Sequence, residues 1–157
     1  RELFTKYGGH PMAAGLSLKP ENVEPFRQAI NENCRLTEEE LTPRLSYDAV
    51  LPLCYAGEQI IRELELLEPF GKANEKPLFA AANLKVRSAR IIGKNQNVLK
   101  AVLEGPDGTR LDTISFGDVQ ENLAYIEGKK DVCILYYPEL NEYQGRRSVQ
   151  LVVESWR

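Results

Sequence analysis

The sequence contains no long apolar segment, although hydrophobic residues make up 43% of its 157 positions. No apolar run approaches the ~20 residues that an α-helix needs to cross a bilayer. The first residues, Arg1 to Lys6, also lack the apolar centre of a secretory signal peptide. The composition, with 27% charged residues, argues against disordered, collagen-like and coiled-coil classes. We therefore expect a soluble, cytoplasmic protein without a membrane partner.

Cysteine and methionine are both scarce. The three cysteines, Cys34, Cys54 and Cys133, lie far apart and form no C-x-x-C pair. This spacing predicts neither a disulfide framework nor a zinc site, so we expect three buried thiols in a reducing compartment. The single methionine, Met12, is not the first residue, and we expect that further residues precede this chain.

Neither sign of charge dominates, because 20 lysines and arginines oppose 23 acidic residues for a net charge of −3. This balance argues against a sequence-wide attraction to nucleic acid. However, residues 1–70 carry 7 basic and 12 acidic side chains, whereas residues 71–157 carry 13 basic and 11 acidic ones. Residues 80–103 contain no acid and five basic residues, Lys85, Arg87, Arg90, Lys94 and Lys100. Such a segment is typical either of a solvated strand face or of a surface that follows phosphates.

The first part of the chain shows a mixed α/β pattern. It predicts a strand over 13–18, an amphipathic helix over 23–34 and a capping box at 37–40. A second strand is predicted over 45–51 and a second amphipathic helix over 60–67. The last helix ends at the sequence Glu68-Pro69-Phe70-Gly71, which contains strong helix breakers. We interpret this sequence as a domain boundary.

Five β-rich runs separated by turn signals dominate the remainder. They lie at 78–92, 98–103, 110–116, 131–137 and 148–154. One helix-like segment, 118–125, lies between the third and fourth runs. This order is that of an OB-fold, a small Greek-key barrel that binds oligonucleotides or oligosaccharides, although other small five-stranded barrels share the pattern.

The segment around the single histidine is rich in small residues. Gly8 and Gly9 permit positive φ and close backbone approach, so their N–H groups can form an anion-binding concavity. Pro11 holds His10 extended, with its imidazole free to face that concavity. The alternative is a tight turn with a surface histidine, and Gly-Gly-His alone does not decide between the two.

Three longer motifs carry a family resemblance. Gly-Gly-His-Pro-Met-Ala-Ala-Gly at 8–15 resembles the G-G-H-x-x-A-A-G signature of the DHHA1 domain, which accompanies the metal-bearing DHH domain in a phosphoesterase superfamily. Residues 67–79 resemble the L-E-P-F-G-x-G-N-x-x-P-x-F linker of the RecJ family of exonucleases, with Ala73 replacing the usual glycine. Residues 150–157 resemble the last strand of the OB domain in that family. The motifs follow one another in the order of the family and span the whole chain.

The resemblance implies an α+β fold in three segments. These are the C-terminal part of a mixed α/β DHHA1 domain over 1–70, a linker over 71–77 and a five-stranded OB-fold β-barrel over 78–157. The implied function is that of the C-terminal, substrate-binding portion of a 5′-to-3′ exonuclease for single-stranded DNA, acting in recombination and repair. The divalent metal, manganese or magnesium, would belong to the DHH domain.

Catalytic residues, metal ligands and cofactors are not expected in this chain. Two-metal phosphodiester hydrolysis needs a cluster of Asp and His ligands, whereas this sequence has one histidine, five scattered aspartates and no Asp-His-His motif. The chain is therefore expected to be inactive alone. The resemblance implies that Gly8, Gly9 and His10 hold a substrate phosphate, with His10 as a hydrogen-bond donor.

A protein that binds single-stranded DNA needs basic side chains beside aromatic rings on which the bases stack. The candidates lie in the first strand and the last hairpin of the predicted barrel, and they are Lys85, Arg87, Arg90, Lys94, Tyr143, Arg146 and Arg147. Lys85 and Arg87 alternate with apolar residues and are expected to point outward together. Tyr136, Tyr137 and Trp156 are assigned to barrel packing instead.

Two alternatives remain. In the first, the barrel docks a protein such as a single-strand-binding protein, whose acidic tail the basic residues receive. In the second, the chain is a portion of a related DHH phosphoesterase that acts on small oligonucleotides.

Overall fold

The computed structural model describes residues 3–42 and 44–157. It contains two compact units, of which the first ends at Arg44 and the second runs from Leu45 to Arg157. This division falls inside the segment 1–70 that the sequence assigns to one domain. Among the described residues, no helix is both long enough and apolar enough to cross a membrane.

The first unit consists of a β-hairpin followed by two helices. Its elements are β1 (Phe4–His10), β2 (Ala13–Leu18), α1 (Val23–Asn33) and α2 (Glu38–Leu41), with a 3₁₀ turn at Pro20–Asn22. The strand predicted over 13–18 and the helix predicted over 23–34 are both confirmed. The predicted capping box also forms, because the Thr37 N–H donates to Glu40 Oε2 at 2.8 Å and the Glu40 N–H donates to Thr37 Oγ1 at 3.3 Å.

The first unit has no closed core within the part of it that the structure describes. None of those residues is fully buried. The rings of Phe4 and Phe26 meet edge to face with centroids 5.2 Å apart. Val23 and Ile30, on the apolar face of α1, remain 46% and 50% exposed. A small aromatic contact therefore joins the hairpin to the helix.

The segment Gly8–His10 is a strand, and the predicted loop with glycines at positive φ is wrong. Its three residues pair with Gly15, Ala14 and Ala13 across the hairpin, and neither glycine has a positive φ. Successive N–H groups of an extended strand point to opposite sides, so they cannot converge on one anion. Gly9 instead allows the two strands of the hairpin to approach closely, because a Cβ at this position would lie 2.7 Å from the carbonyl oxygen of Ala13.

Gly9→Ala is expected to loosen the β1–β2 hairpin, whereas Gly8→Ala is the matched control. A Cβ at residue 9 would also lie 2.7 Å from the Ala14 Cα, whereas a Cβ at residue 8 meets no atom within 4 Å. Overpacking of this kind costs roughly 1–3 kcal/mol. We expect Gly9→Ala to lower the protection of the hairpin amides in hydrogen exchange by about tenfold or more, since ~1.4 kcal/mol is a factor of ten. Equal protection in both variants would contradict the steric argument.

The second unit contains six strands and two helices. They are β3 (Ala49–Val50), α3 (Glu58–Glu65), β4 (Phe79–Ile92), β5 (Val98–Glu104), β6 (Arg110–Ser115), α4 (Val119–Ile126), β7 (Val132–Tyr143) and β8 (Arg146–Trp156). The hydrogen-bonded order is β3-β4-β5-β6-β8-β7, and β7 also pairs with β4. Strands β4 to β8 therefore close into a barrel.

This barrel confirms the predicted OB-fold. Strands β6 and β8 are parallel, and the other pairs within the barrel are antiparallel. Helix α4 follows the third barrel strand, as the sequence predicts. The strand predicted over 45–51 is shorter, because only Ala49–Val50 pair with β4. The last hairpin is longer than predicted, because Gln144 and Gly145 form a two-residue turn with φ of 51° and 75°.

The core lies inside the barrel. Leu99, Leu103 and Leu151 are completely inaccessible to solvent. Tyr136 is equally buried, and its hydroxyl donates to the carbonyl of Leu51 at 2.7 Å, so the ring satisfies its polar end. The assignment of Tyr136, Tyr137 and Trp156 to barrel packing is confirmed, since all three are at most 6% exposed.

The prediction of buried cysteines is wrong. Cys34, Cys54 and Cys133 are all exposed. Cys133 shows the physical reason, because its neighbours Val132 and Ile134 point into the core. Strand alternation then directs the Cys133 thiol outward.

The segment before the barrel forms a compact turn against β7. The Asn74 side-chain amide donates to the carbonyls of Leu67 at 2.7 Å and of Pro69 at 3.1 Å. The Phe70 ring lies edge to face on Tyr137 with centroids 6.4 Å apart, and Lys76 Nζ lies 3.6 Å from the centroid of the same ring. Phe70, which directly precedes the predicted linker, and Lys76, which lies within it, thus pack against Tyr137 of the barrel.

Candidate nucleic-acid interface

Strand alternation defines which residues face outward from the first three barrel strands. In β5, Leu99, Ala101 and Leu103 are buried, so Lys100 and Glu104 lie on the outer face. Directly opposed residues share a face. The outer face therefore includes the partners of Lys100 and Glu104 on β4 and β6, which are Arg90, Lys85, Ile114 and Arg110.

Arg87 lies at an irregularity in β4. The register shifts between Val86 and Ser88, which leaves Arg87 without a partner residue on β5. Its Nη2 donates to Glu104 Oε1, and Arg110 Nε donates to Glu104 Oε2 at 2.5 Å. These hydrogen bonds lower the pKa of the Glu104 carboxyl to about 2. Glu104 is therefore ionised at neutral pH, although it is only 9% exposed.

Part of the basic charge of residues 80–103 is neutralised by neighbouring strands. Arg87 is paired with Glu104, and Lys100 Nζ lies 2.7 Å from Asp112 Oδ2. Three cations of the segment form no ion pair with any residue in 3–42 or 44–157, and these are Lys85, Arg90 and Lys94. The unpaired positive charge is thus concentrated in fewer side chains than the sequence predicts.

Lys94 lies in the turn that joins β4 to β5. The turn is closed by a hydrogen bond from the Gln96 N–H to the Gly93 carbonyl at 3.1 Å. All residues from Gly93 to Asn97 are exposed. This turn and the β7–β8 hairpin correspond to the two loops that OB-folds present to oligonucleotides.

The β7–β8 hairpin separates the predicted residues onto two faces. Tyr143 and Arg146 are directly opposed and therefore share one face. The Tyr143 ring is 68% exposed. Arg147 is opposed to Glu142 on the other face, where its Nε lies 3.0 Å from Glu142 Oε2. Tyr143 and Arg146 are thus brought together, whereas Arg147 is turned away and paired.

His10 ends strand β1 in the first unit and is exposed. Its Nδ1 accepts a hydrogen bond from the Met12 N–H at 3.3 Å. A neutral ring with Nδ1 as acceptor carries its proton on Nε2, which can donate to an external oxygen. Gly8 and Gly9 contribute the extended backbone that precedes this ring.

The described residues do not fit a metal centre. Within residues 3–42 and 44–157, no group of three His, Cys, Asp or Glu side chains is arranged to hold an ion. Two-metal phosphodiester hydrolysis uses a cluster of such side chains to hold its ions.

Two outward-facing residues near the candidate interface, Arg110 and Phe116, were not predicted from the sequence. Arg110 follows the turn between β5 and β6 and is held by Glu104, its partner residue on β5. Glu104 lies one residue beyond the acid-free segment 80–103, so the sequence pattern did not point to this contact. Phe116 directly follows β6 and is 55% exposed. It continues the outward alternation of Ile114, and this alternation was the signal that could have identified it.

Comparison with known proteins agrees with this geometry. The family model described as RecJ OB domain matches residues 47–155. The single-stranded-DNA-specific exonuclease RecJ of Bacillus subtilis (strain 168) is 32% identical over 158 residues, which are 98% of this chain and 20% of that protein. The chain therefore spans about a fifth of that relative.

Two solved structures share the fold. RecJ of Thermus thermophilus in complex with Mn2+ has a TM-score of 0.68 at 22% identity, over 99% of this chain and 22% of that one. The complex of RecJ from the same organism with Mg2+ has a TM-score of 0.66 at 22% identity, over 99% and 23% of the two chains. Both divalent ions thus occur in these structural neighbours.

Proposed function

Because the chain belongs to the RecJ OB-domain family, we propose that it is the C-terminal, substrate-binding portion of a 5′-to-3′ exonuclease specific for single-stranded DNA. The proposed enzyme acts in recombination and repair in the cytoplasm. Its DHH domain, with manganese or magnesium, supplies the hydrolytic chemistry, and the barrel holds the single strand.

The pairing of Tyr143 with Arg146 carries this proposal. An exposed ring lies directly opposite an arginine that forms no ion pair among the residues described. A stacking ring beside a free cation is the arrangement that single-strand binders use, because every base has a π-face and every nucleotide a phosphate. Lys85, Arg90 and Lys94 add positive charge on β4 and its turn. Arg87 belongs to the same proposed surface, although Glu104 neutralises part of its charge.

The first unit is proposed to be the end of a DHHA1 domain. Its lack of buried residues in the described part, together with the exposed apolar face of α1, is what a fragment of a larger domain would show. In this proposal His10 contacts a substrate phosphate with Nε2 as the donor, and Gly8 and Gly9 supply the extended backbone that positions the ring. The boundaries at residues 70 and 77 remain predictions.

Binding of a fluorescent oligo(dT) of about 20 nucleotides tests the proposal, since one OB-fold covers roughly 4–16 nucleotides. We expect the chain to prefer oligo(dT) to duplex of equal length and to bind more weakly at about 200 mM than at about 50 mM salt. Tyr143→Ala should then weaken oligo(dT) binding roughly 5- to 150-fold, because one stacked base contributes about 1–3 kcal/mol.

Tyr143→Phe is the matched control, because it keeps the ring and removes only the hydroxyl. It should bind oligo(dT) like the unchanged chain. No binding at low salt, or equal affinity for duplex, would contradict the proposed function. Equal losses in Tyr143→Ala and Tyr143→Phe would show that stacking is not the role of this residue.

The alternative of docking the acidic tail of a single-strand-binding protein is less well supported by the hairpin. Arg147 is already paired with Glu142. An acidic peptide on that face would therefore meet a carboxylate as well as a guanidinium. A phosphoesterase that acts on small oligonucleotides would use the same face around Tyr143. The dependence of affinity on oligo(dT) length distinguishes small oligonucleotides from long single strands as the substrate.

A further inference from the structure

We propose that Arg87 and Arg110, positioned by the Glu104 carboxylate, form a binding site for one phosphodiester group of the DNA strand. Arg110 is the residue that this inference adds to the interface. The inference rests on the proposed function, because it names where on the barrel the backbone of the single strand is held.

The two guanidiniums are brought together by one acid. Arg87 Nη2 and Arg110 Nε donate to different oxygens of Glu104, so both groups lie beside the same carboxylate. Glu104 is held almost buried on the outer edge of β5, between the irregularity in β4 and the start of β6. Three neighbouring strands therefore fix this cluster.

Most of the donor capacity of the two arginines remains available. A guanidinium carries five N–H groups, and Glu104 occupies one on each arginine. Their side chains are 44% and 64% exposed, in contrast to 11% for the side chain of Glu104. The acid is thus more buried than the two cations, and their remaining guanidinium N–H groups form no hydrogen bond with a described residue. Planar guanidiniums bind phosphate oxygens through paired N–H groups.

The charge of the cluster favours an anion. Two guanidiniums and one carboxylate leave one net positive charge. Lys85 is directly opposite Glu104 and forms no ion pair in the part of the chain that the structure describes, so it raises the local excess. Arg90 and Lys94 follow along the same strand and its turn. Cations spaced along one strand and its turn favour a polyanion backbone over a single acidic side chain.

The test is the salt dependence of oligo(dT) binding by Arg110→Ala in the full chain. Removal of one phosphate contact from a single strand should reduce the slope of log K against log salt by about 0.7, which is about fivefold in affinity near 0.1 M salt. Arg110→Ala leaves the Arg87–Glu104 pair intact, so the carboxylate is still compensated. Arg62→Ala is the matched control, because it removes an exposed arginine that is paired with Glu58 on α3.

A second variant tests the positioning role of Glu104. Glu104→Gln raises the net charge by one, and a purely electrostatic surface would then bind oligo(dT) more tightly. We expect weaker binding, because the two guanidiniums donate to different oxygens of Glu104, and glutamine replaces one of these oxygens with an NH2 group that cannot accept. Binding equal to or tighter than that of the unchanged chain would overturn the positioning role. Circular dichroism confirms that each variant is folded.

The outcomes separate this inference from the proposed function. If the unchanged chain does not bind oligo(dT), the proposed function fails. If it binds and Tyr143→Ala weakens it, but folded Arg110→Ala keeps the full salt slope, only the phosphate site is overturned. If Arg110→Ala weakens binding of poly-glutamate and leaves oligo(dT) unaffected, the site is overturned in favour of an acidic protein partner.

Discussion

Replacing Arg90, Lys94 and Arg146 together with glutamine is expected to weaken oligo(dT) binding about 100-fold near 0.1 M salt. Each lost phosphate contact reduces the salt slope by about 0.7, so three contacts reduce it by about 2. These three cations lie on the proposed interface without an acidic partner among the described residues, so each can neutralise a phosphate. Fluorescence anisotropy at several salt concentrations measures both quantities.

A control triple variant removes the same charge from elsewhere. Arg27, Arg44 and Arg62 are exposed and paired with Glu24, Glu39 and Glu58. Their replacement by glutamine should change the affinity far less and leave the salt slope unaltered. Equal losses in the two variants would mean that net charge alone governs binding, and the assigned interface would be wrong.

Trp156→Ala is expected to lower the free energy of unfolding by about 3–5 kcal/mol, as truncation of a large buried aromatic residue usually does. Trp156 is 3% exposed, and its Nε1 donates to the Ser115 hydroxyl at 3.1 Å. The variant therefore creates a cavity and removes the hydrogen-bond partner of Ser115, a residue that is only 1% exposed. Urea unfolding followed by circular dichroism measures the loss.

Tyr143→Ala serves as the stability control, since this ring is 68% exposed at the end of the hairpin. Surface substitutions of this kind change stability by about 0.5 kcal/mol or less. A loss below about 1 kcal/mol for Trp156→Ala would show that the end of β8 does not belong to the cooperative barrel. The pair of variants therefore separates barrel stability from DNA binding.

The barrel could be predicted from the sequence because its signals are local. Alternation over β4 and β5, with turns at Gly93 and Gly105, identifies strands without knowledge of their partners. The hairpin at Gly8–His10 could not be predicted in this way. Its glycines are explained by the Ala13–Ala14 backbone across the hairpin, and such a contact is invisible until the pairing is known.

The interface was only partly predictable, because charges are paired across strands. The acid-free segment ends at Leu103, one residue before the acid that holds Arg87. The charge of Lys100 is likewise offset by an ion pair with Asp112 on β6. The separation of Arg146 from Arg147 depends on where the last turn falls, and the strand runs predicted at 131–137 and 148–154 leave its position between them undefined.

The two-residue turn at Gln144-Gly145 also restricts how the length of the β7–β8 hairpin can vary among related proteins. Side chains along a strand change sides at every residue. Lengthening each strand by one residue would move the ring of Tyr143 and the guanidinium of Arg146 to the opposite face of the β7–β8 hairpin. Related chains that keep an aromatic ring and a cation on this face of the hairpin are therefore expected to differ in length by an even number of residues in each strand.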